Sequence, residues 1–392
     1  MNIFLIVLGH LFTFVAAIAG LLLGLSFTDV QLEQYPFLHW LDGQQIPLAV
    51  TAVVSFVIVM VTNLFKDVKK EFETVQGPKG EVFQKATESG FEKELKDAAD
   101  ELKTKAKHYF KAAEEDFKPG SYEDAARNYQ KSIDLLPTMS AFLNAGLAWF
   151  YVSSYTEAEQ VFLAGLQLAR EKEAEKFKGV FLGNIGIVYQ LQGKLKEGLE
   201  AHQEALEIDK KIGDPLDQAN QLGNIGIVFH LEGKLEEALE TYQQALKIHK
   251  KIGNLLGQAN NLCNIGNIYY QQGILEKALE TYQQTLEIHK KVGNPLGQAT
   301  ILGNIGNVYS DQGMPEEGVN VYQQALEIYE RIGNSLGQAN QLNNIGVFYE
   351  EQNKLDEALR YYQQARGIFE RIETPLGLNI AEENIKRVTK KL

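Results

Sequence analysis

A chain of 392 residues with a single cysteine cannot close a disulfide on itself, so Cys263 is a free thiol of the kind a reducing compartment leaves. Positive charge is also scarce. The 38 Lys and Arg stand against 51 Asp and Glu, and the net charge of −13 excludes a nucleic-acid backbone as partner, because phosphates are neutralised by basic surface. A basic or neutral protein partner suits that balance better. Catalytic constellations are missing too. The histidines are scattered, none stands in a His-x3-His pair around a Glu, one thiol cannot build a thiolate metal site, and no Gly-x4-Gly-Lys-Ser/Thr loop is available to cradle phosphate. Neither enzyme activity, nor a metal, nor a cofactor is expected.

Apolar residues are plentiful, at 45 %, which is too many for a disordered chain, but they are unevenly spread. Residues 3–27 contain no Asp, Glu, Lys or Arg. At 1.5 Å per residue, about 25 residues cross a hydrocarbon core of roughly 30 Å with some tilt. A second uncharged run, Leu48 to Phe65, is about 18 residues long, near the lower limit for a span. Together they read as a transmembrane helical hairpin, with helices at about residues 3–27 and 47–65. The connection holds Asp29, Glu33 and Asp42 but no Lys or Arg, whereas Lys66, Lys69 and Lys70 follow the second run. The positive-inside rule then puts the connection outside and the rest of the chain in the cytoplasm, with Tyr35, Phe37 and Trp40 suited to the headgroup layer. A cleaved signal peptide fits less well, since a basic n-region is missing and the first run exceeds the roughly 7 to 15 residues of an h-region. A buried hairpin inside a soluble domain seldom carries two uncharged stretches of this length.

Residues 66–104 read as a charged linker, broken by the turn signal Gly77-Pro78-Lys79-Gly80. Past the break, Phe91, Leu95, Ala98 and Leu102 fall at helical spacing, which predicts one amphipathic helix leading onward, either as a stalk or docked on the helices downstream.

From there a 40-residue period dominates. Leu182-Gly183-Asn184-Ile185-Gly186 recurs at Leu222 to Gly226, as Leu262-Cys263-Asn264-Ile265-Gly266, at Leu302 to Gly306, and as Leu342-Asn343-Asn344-Ile345-Gly346. Within a unit, Leu222, Ile225, Gly226 and Phe229 share one helical face. A stop comes next at Gly193, Gly233, Gly273, Gly313 and Asn353, residue types that tolerate the left-handed conformation. A second helix then aligns Ala238, Tyr242, Ala245 and Leu246, matched by Ala278, Tyr282, Thr285 and Leu286 and by Gly318, Tyr322, Ala325 and Leu326. Each unit is a helical hairpin.

Leu-x2-Ile-Gly-x2-Tyr followed by Ala-x3-Tyr-x2-Ala resembles the tetratricopeptide repeat. The usual unit has 34 residues; here the second helix lacks its terminating proline and runs through Ile248, Lys250, Lys251 and Ile252 to Gly253. That longer form looks most like the repeats of kinesin light chain and of the Pins spindle-orientation adaptor. The resemblance implies an all-α fold, a right-handed superhelix built as an α-solenoid of helical hairpins. Two degenerate units are expected over 105–178, carrying Tyr109, Ala113, Tyr122, Ala126, Tyr129 and Pro137, then Leu143, Gly146, Tyr155, Ala158 and Phe162. Five full units are expected over 179–378, and a cap helix over 379–392 with Ile380, Ile385 and Val388 inward.

Stacked hairpins of this type leave an extended groove walled by first helices, expected to stand open. Asn184, Asn224, Asn264, Asn304 and Asn344 lie off the apolar face and should form a ladder along it. Asn220, Asn260 and Asn340 sit one turn before, Asn267 and Asn307 one turn after. Asn inside a helix costs about 0.7 kcal/mol against Ala, and its amide offers a donor and an acceptor that match a peptide unit. These ten residues are the candidate peptide-binding set, a role the resemblance also implies for the first five. The competing account is that they only link neighbouring hairpins, or were copied by duplication.

Lys210-Lys211, Lys250-Lys251 and Lys290-Lys291 complement helix C-termini. The Gln pairs at 243–244, 283–284, 323–324 and 363–364 read as exposed surface, and Tyr242, Tyr282, Tyr322 and Tyr362 as packing residues. Three functions fit: a membrane scaffold or receptor gripping an extended segment of a partner, an assembly factor or accessory subunit of a membrane complex, and a regulatory sensor that releases a partner on ligand binding. Pairing of repeat arrays leaves a homo-oligomer open.

Overall fold

The computed structural model describes residues 72–76, 82–95 and 99–392. Both expected membrane helices, residues 3–27 and 47–65, lie outside the described residues, and among the described residues no helix is long and apolar enough to cross a membrane.

Sixteen helices make an α-solenoid among the described residues. After the short α1 (Glu88–Glu94), seven antiparallel hairpins come in order: α2 (Asp100–Asp116) with α3 (Tyr122–Leu135), α4 (Met139–Tyr151) with α5 (Tyr155–Glu171), α6 (Glu175–Leu191) with α7 (Leu195–Ile212), α8 (Pro215–Leu231) with α9 (Leu235–Ile252), α10 (Leu255–Gln271) with α11 (Leu275–Lys291), α12 (Pro295–Asp311) with α13 (Pro315–Arg331), and α14 (Ser335–Glu351) with α15 (Leu355–Arg371). The last helix, α16 (Pro375–Thr389), packs on α15.

Local sequence explains where these helices begin and end. Asp214 caps α8 by accepting from the amides of Leu216 and Asp217, while Asn254, Asn294 and Asn334 cap α10, α12 and α14 through Gly257, Gly297 and Gly337. Pro215, Pro295 and Pro375 occupy first-turn positions, where a missing N–H costs nothing. Between the paired helices the backbone turns through a left-handed residue, Gly193, Gly233, Gly273, Gly313 or Asn353. Tight pairing has an equally local cause. A Cβ added to Gly226 would lie 2.6 Å from the ring of Tyr242, so the glycine admits a fully buried aromatic between the two helices of a hairpin.

Most first helices touch the next first helix in line: α4 with α6, α6 with α8, α8 with α10, α12 with α14, and α14 with α16. These first helices line one side of the solenoid as a wall. The glycine of Leu-Gly-Asn serves this second contact, for a Cβ on Gly183 would meet Gln221 Nε2 at 2.6 Å on the neighbouring first helix.

Three expectations are corrected. The Gly77-Pro78-Lys79-Gly80 signal is not just a break in a charged linker after the membrane part: it lies between β1 (Phe72–Gln76) and β2 (Val82–Ala86), which pair antiparallel with Phe72 opposite Ala86. The all-α expectation thus holds for the repeats and gains a two-stranded ribbon. Nor does one amphipathic helix span Phe91 to Leu102. α1 ends at Glu94, with Leu95 as its C-cap, and α2 begins afresh at Asp100, leaving Phe91 and Leu95 buried and Leu102 exposed. The short helix is docked, since Phe91 stacks on Phe110 of α2 with ring centroids 3.9 Å apart and Glu94 accepts from the amides of Met139 and Ser140 at the start of α4. Finally, Ile380 of the last helix is exposed rather than inward. α16 begins at Pro375 and keeps the register of a first helix, so Gly377, Ala381, Asn384 and Val388 take the buried face.

Candidate functional site

The wall of first helices is not empty. β2 lies along α4 and α6, and side-chain amides bind its backbone. Asn144 of α4 accepts from the Ala86 amide at 2.8 Å and donates from Nδ2 to the Ala86 carbonyl at 2.9 Å. Asn184 of α6 treats Gln84 in the same way, at 3.4 and 3.2 Å. Alternate residues of a strand turn their N–H and C=O to one edge, so Gln84 and Ala86 present one edge to the asparagines while the intervening residues face the β1 ladder. An isolated two-stranded hairpin is marginal in water. Here the asparagines act as a third strand. This also corrects the expectation of an open groove, whose first part the chain fills with its own residues.

Asn144 is a site residue that the sequence reading missed, although it stands 40 residues before Asn184 and two before Gly146, in the register of the Asn-x-Gly motif. It is fully buried, and its second amide proton goes to Glu114 Oε1 at 3.1 Å. Glu114 also accepts from the Tyr129 hydroxyl and from Lys85 Nζ, the latter at 2.7 Å, and the Lys85 ammonium lies 4.6 Å from the centroid of the Phe117 ring. The strand is thus fixed through its backbone on one side and through Lys85 on the other.

Gln84 reaches further, donating from Nε2 to Asp217 Oδ1 on α8. Around this contact a cavity of about 20 Å³ is lined by Gln84, Asn184, Asp209, Asp217, Asn220 and Asn224, room for roughly one water. Asp209 and Asp217 are 5 % and 6 % exposed. Burial, with Asp217 and Asp214 close by, pushes the Asp209 carboxyl up to about 7; burial raises Asp217 as well, and the Gln84 amide opposes that rise. Behind them His202 is fully enclosed between Gln190 Nε2 and Gln221 Oε1, each 3.0 Å from a ring nitrogen, and burial pushes its imidazole down to about 4. A neutral ring donating from Nδ1 and accepting at Nε2 satisfies both neighbours.

Placement of the other candidates is uneven. Asn224 is buried and Asn220 half-buried on the same cavity. Further along, Asn260, Asn264, Asn304 and Asn344 are half-buried and Asn340 is exposed. Asn344 and Asn307 line a second, wider depression with Tyr270, Ser310, Asp311 and Glu351. Asn267 and Asn307 each accept a hydroxyl from the partner helix of their own hairpin, Tyr282 at 2.7 Å and Tyr322 at 2.6 Å. Tyr242, Tyr282, Tyr322 and Tyr362 are buried between paired helices, and Cys263 is half-buried with its thiol pushed up to about 11 by desolvation, which makes it a poor nucleophile.

Residues 178–251, 217–291 and 297–371 match the tetratricopeptide repeat family. The hairpins within these residues are tetratricopeptide repeats. No curated protein matches the sequence. Among solved structures, the chain is similar to a signal transduction ATPase with numerous domains and a tetratricopeptide repeat sensor, from Pyrococcus horikoshii, with a TM-score of 0.57 and 16 % identity over 74 % of this chain and 44 % of that one. It therefore spans less than half the length of that protein. It is also similar to apo RapI, at a TM-score of 0.55 and 17 % identity over 68 % of this chain and 98 % of that one. A Rap protein complexed with competence and sporulation factor gives 0.52 and 14 % over 77 % and 91 %. Identities this low establish a shared fold. The tetratricopeptide assignment adds a general role, protein binding by a scaffold of repeats.

Proposed function

We propose that this protein is a membrane-anchored, non-enzymatic receptor whose tetratricopeptide groove holds an extended segment of a partner protein by main-chain hydrogen bonds to the row of asparagines. One observation carries the reading: Asn144 and Asn184 already hold an extended backbone, at two successive residues of one strand edge. Asn224, Asn264, Asn304 and Asn344 repeat the same position in the subsequent first helices. The Rap protein of similar fold is complexed with competence and sporulation factor, which agrees with such a use. Anchoring rests on the uncharged runs 3–27 and 48–65 and on the lysines after them, which put the repeats on the cytoplasmic side.

Occupation of the groove by β2 favours a second reading, a regulatory sensor in which an incoming segment displaces the chain's own strand. Selection of displayed peptides against the full-length protein in detergent tests both. Selected peptides should lose at least tenfold in affinity on Asn264→Ala/Asn304→Ala while circular dichroism is unchanged. Peptides indifferent to that double change would remove the groove from consideration.

A further inference from the structure

The acidic pocket that receives Gln84 departs from a packing pattern shared by the four junctions that follow it. The junction before it, with Ala169 and Phe177 at the matching places, lacks that pattern too. At the four later junctions a ring on the second helix packs against a glycine on the next first helix: His249 on Gly257, His289 on Gly297, Tyr329 on Gly337 and Phe369 on Gly377. At the corresponding places, 40 residues before His249 and Gly257, stand Asp209 and Asp217. At this junction two carboxylates, both more than nine-tenths buried, stand in those places, and the side chain of Gln84 on the bound strand reaches one of them.

Gln84 fills that place poorly. Its Nε2 meets Asp217, but its Oε1 has no hydrogen-bond partner among the described residues, and neither has Oδ2 of Asp209. A carboxamide brings an acceptor into a pocket already rich in acceptors. The cavity beside it, about one water in size, is comparable to the extra bulk of an Arg or Lys side chain over Gln. Asp214 adds a third carboxylate nearby, and Lys176, the cation that acts on both buried acids, offsets part of that negative charge.

We propose that the Asp209–Asp217 pocket is a side-chain subsite for a basic residue, Arg above Lys, of an extended peptide lying on the Asn144 and Asn184 clamps in the place β2 takes here. A guanidinium is all donor and spans two carboxylates with a planar fork, whereas an ammonium meets them as a point charge. The subsite gives the partner a chemistry: a segment in strand conformation with a basic residue two positions before the residue held by Asn144. It rests on the groove reading above for its ligand, but not for its test.

The strand itself serves as the probe. In the full-length protein, Gln84→Arg should slow amide hydrogen exchange of residues 82–86 at least tenfold at pH 7.5, Gln84→Lys should slow it less, and the uncharged Gln84→Met should not slow it. The effect should vanish in the Asp209→Asn/Asp217→Asn background. Exchange that neither basic variant slows, or that slows equally without the two carboxylates, overturns the subsite. A free peptide spanning residues 80–87 with the Gln84→Arg change should then bind at least tenfold tighter than the unchanged peptide. Slowed exchange of the tethered strand with no binding of either free peptide leaves the subsite standing and removes the groove as a receptor for other chains.

Discussion

Removing the clamps one at a time gives a graded outcome that can be worked out from their geometry. Asn144 makes two short bonds to Ala86 and a third to Glu114, and it is fully buried, so Asn144→Ala loses well-formed hydrogen bonds and leaves polar groups behind. The two bonds that hold the strand, at a net 0.5 to 1.5 kcal/mol each, amount to about 1 to 3 kcal/mol. The Asn184 pair is longer, at 3.4 and 3.2 Å, and sits near the limit of useful geometry, so Asn184→Ala costs about 1 kcal/mol. Because about 1.4 kcal/mol is a factor of ten, local opening of β2 should become roughly 5- to 150-fold more frequent in the first variant and no more than about 5-fold in the second, whose bonds are longer. Hydrogen exchange by mass spectrometry reads this directly, with peptides from α12 and α13 as internal controls. The double variant should fall short of the product of the two, because both residues hold one strand. Exchange of 82–86 that stays at the wild-type rate, or a rise shared by the control helices, would refute the clamp. A larger effect from Asn184→Ala than from Asn144→Ala would refute the ranking by geometry.

His202 should make stability depend on pH in one direction. Its pKa falls from 6.5 in the unfolded chain to about 4 in the enclosed site, so between those values the unfolded state binds the extra proton and acid destabilises the fold, by up to about 3 kcal/mol across the whole window. Thermal melts between pH 7 and pH 5 should show a falling Tm that flattens in His202→Tyr, the residue type of the matching positions 242 and 282. Asp209 acts oppositely. Burial, then Asp217 and Asp214, raise its carboxyl from 3.8 to about 7, so the stability tied to its protonated form is complete below 3.8 and is lost as pH rises through 7. Asp209→Asn should therefore raise Tm at pH 8 and change it little at pH 4; equal shifts at both would contradict the assignment. For packing, Gly226→Ala forces a Cβ to within 2.6 Å of Tyr242 and should cost about 1 to 3 kcal/mol in denaturant titration, while Gly223→Ala, with its nearest neighbour at 3.7 Å, should cost far less.

The repeats were legible because their signals are periodic and local. A small residue opposite an aromatic, a left-handed stop and a 40-residue return each have a packing cause that survives in one dimension. The ribbon was less legible. Phe72 to Gln76 and Val82 to Ala86 are rich in strand formers on either side of Gly77-Pro78-Lys79-Gly80, which is a hairpin signature, but strands this short are marginal alone, and what holds them is Asn144 and Asn184, about 60 and 100 residues away. Asn144 was hidden by the divergence of its own repeat, where Ala145 replaces the usual isoleucine. Asn267 and Asn307 show the converse limit: their spacing puts them beside the ladder, yet each accepts a tyrosine hydroxyl, a pairing that depends on the partner helix rather than on their own. The acidic pair was legible only as a deviation, since Asp209 and Asp217 mean little until ring-on-glycine contacts are seen at the four later junctions.

Polarity and arithmetic together say what could displace β2 on the proposed reading. The strand runs against the order of the repeats, with Gln84 on α6 and Ala86 on α4, and spends two residues per repeat. A longer segment of the same polarity would carry its upstream residues toward Asn224, Asn264, Asn304 and Asn344, positions that β2 gives up by turning back to pair with β1. Being tethered, β2 competes at an effective concentration of about millimolar, so a free peptide at micromolar concentration that makes only the same two clamps is disfavoured by roughly a thousandfold, about 4 kcal/mol. Each further clamp contributes two hydrogen bonds, about 1 to 3 kcal/mol. Two or three more clamps reverse the balance. Peptides of about four residues should therefore leave β2 in place, and peptides of about ten should release it, seen as faster exchange of residues 82–86 with a steep dependence on length. Release that does not vary with peptide length would mean that the asparagines beyond Asn184 hold nothing.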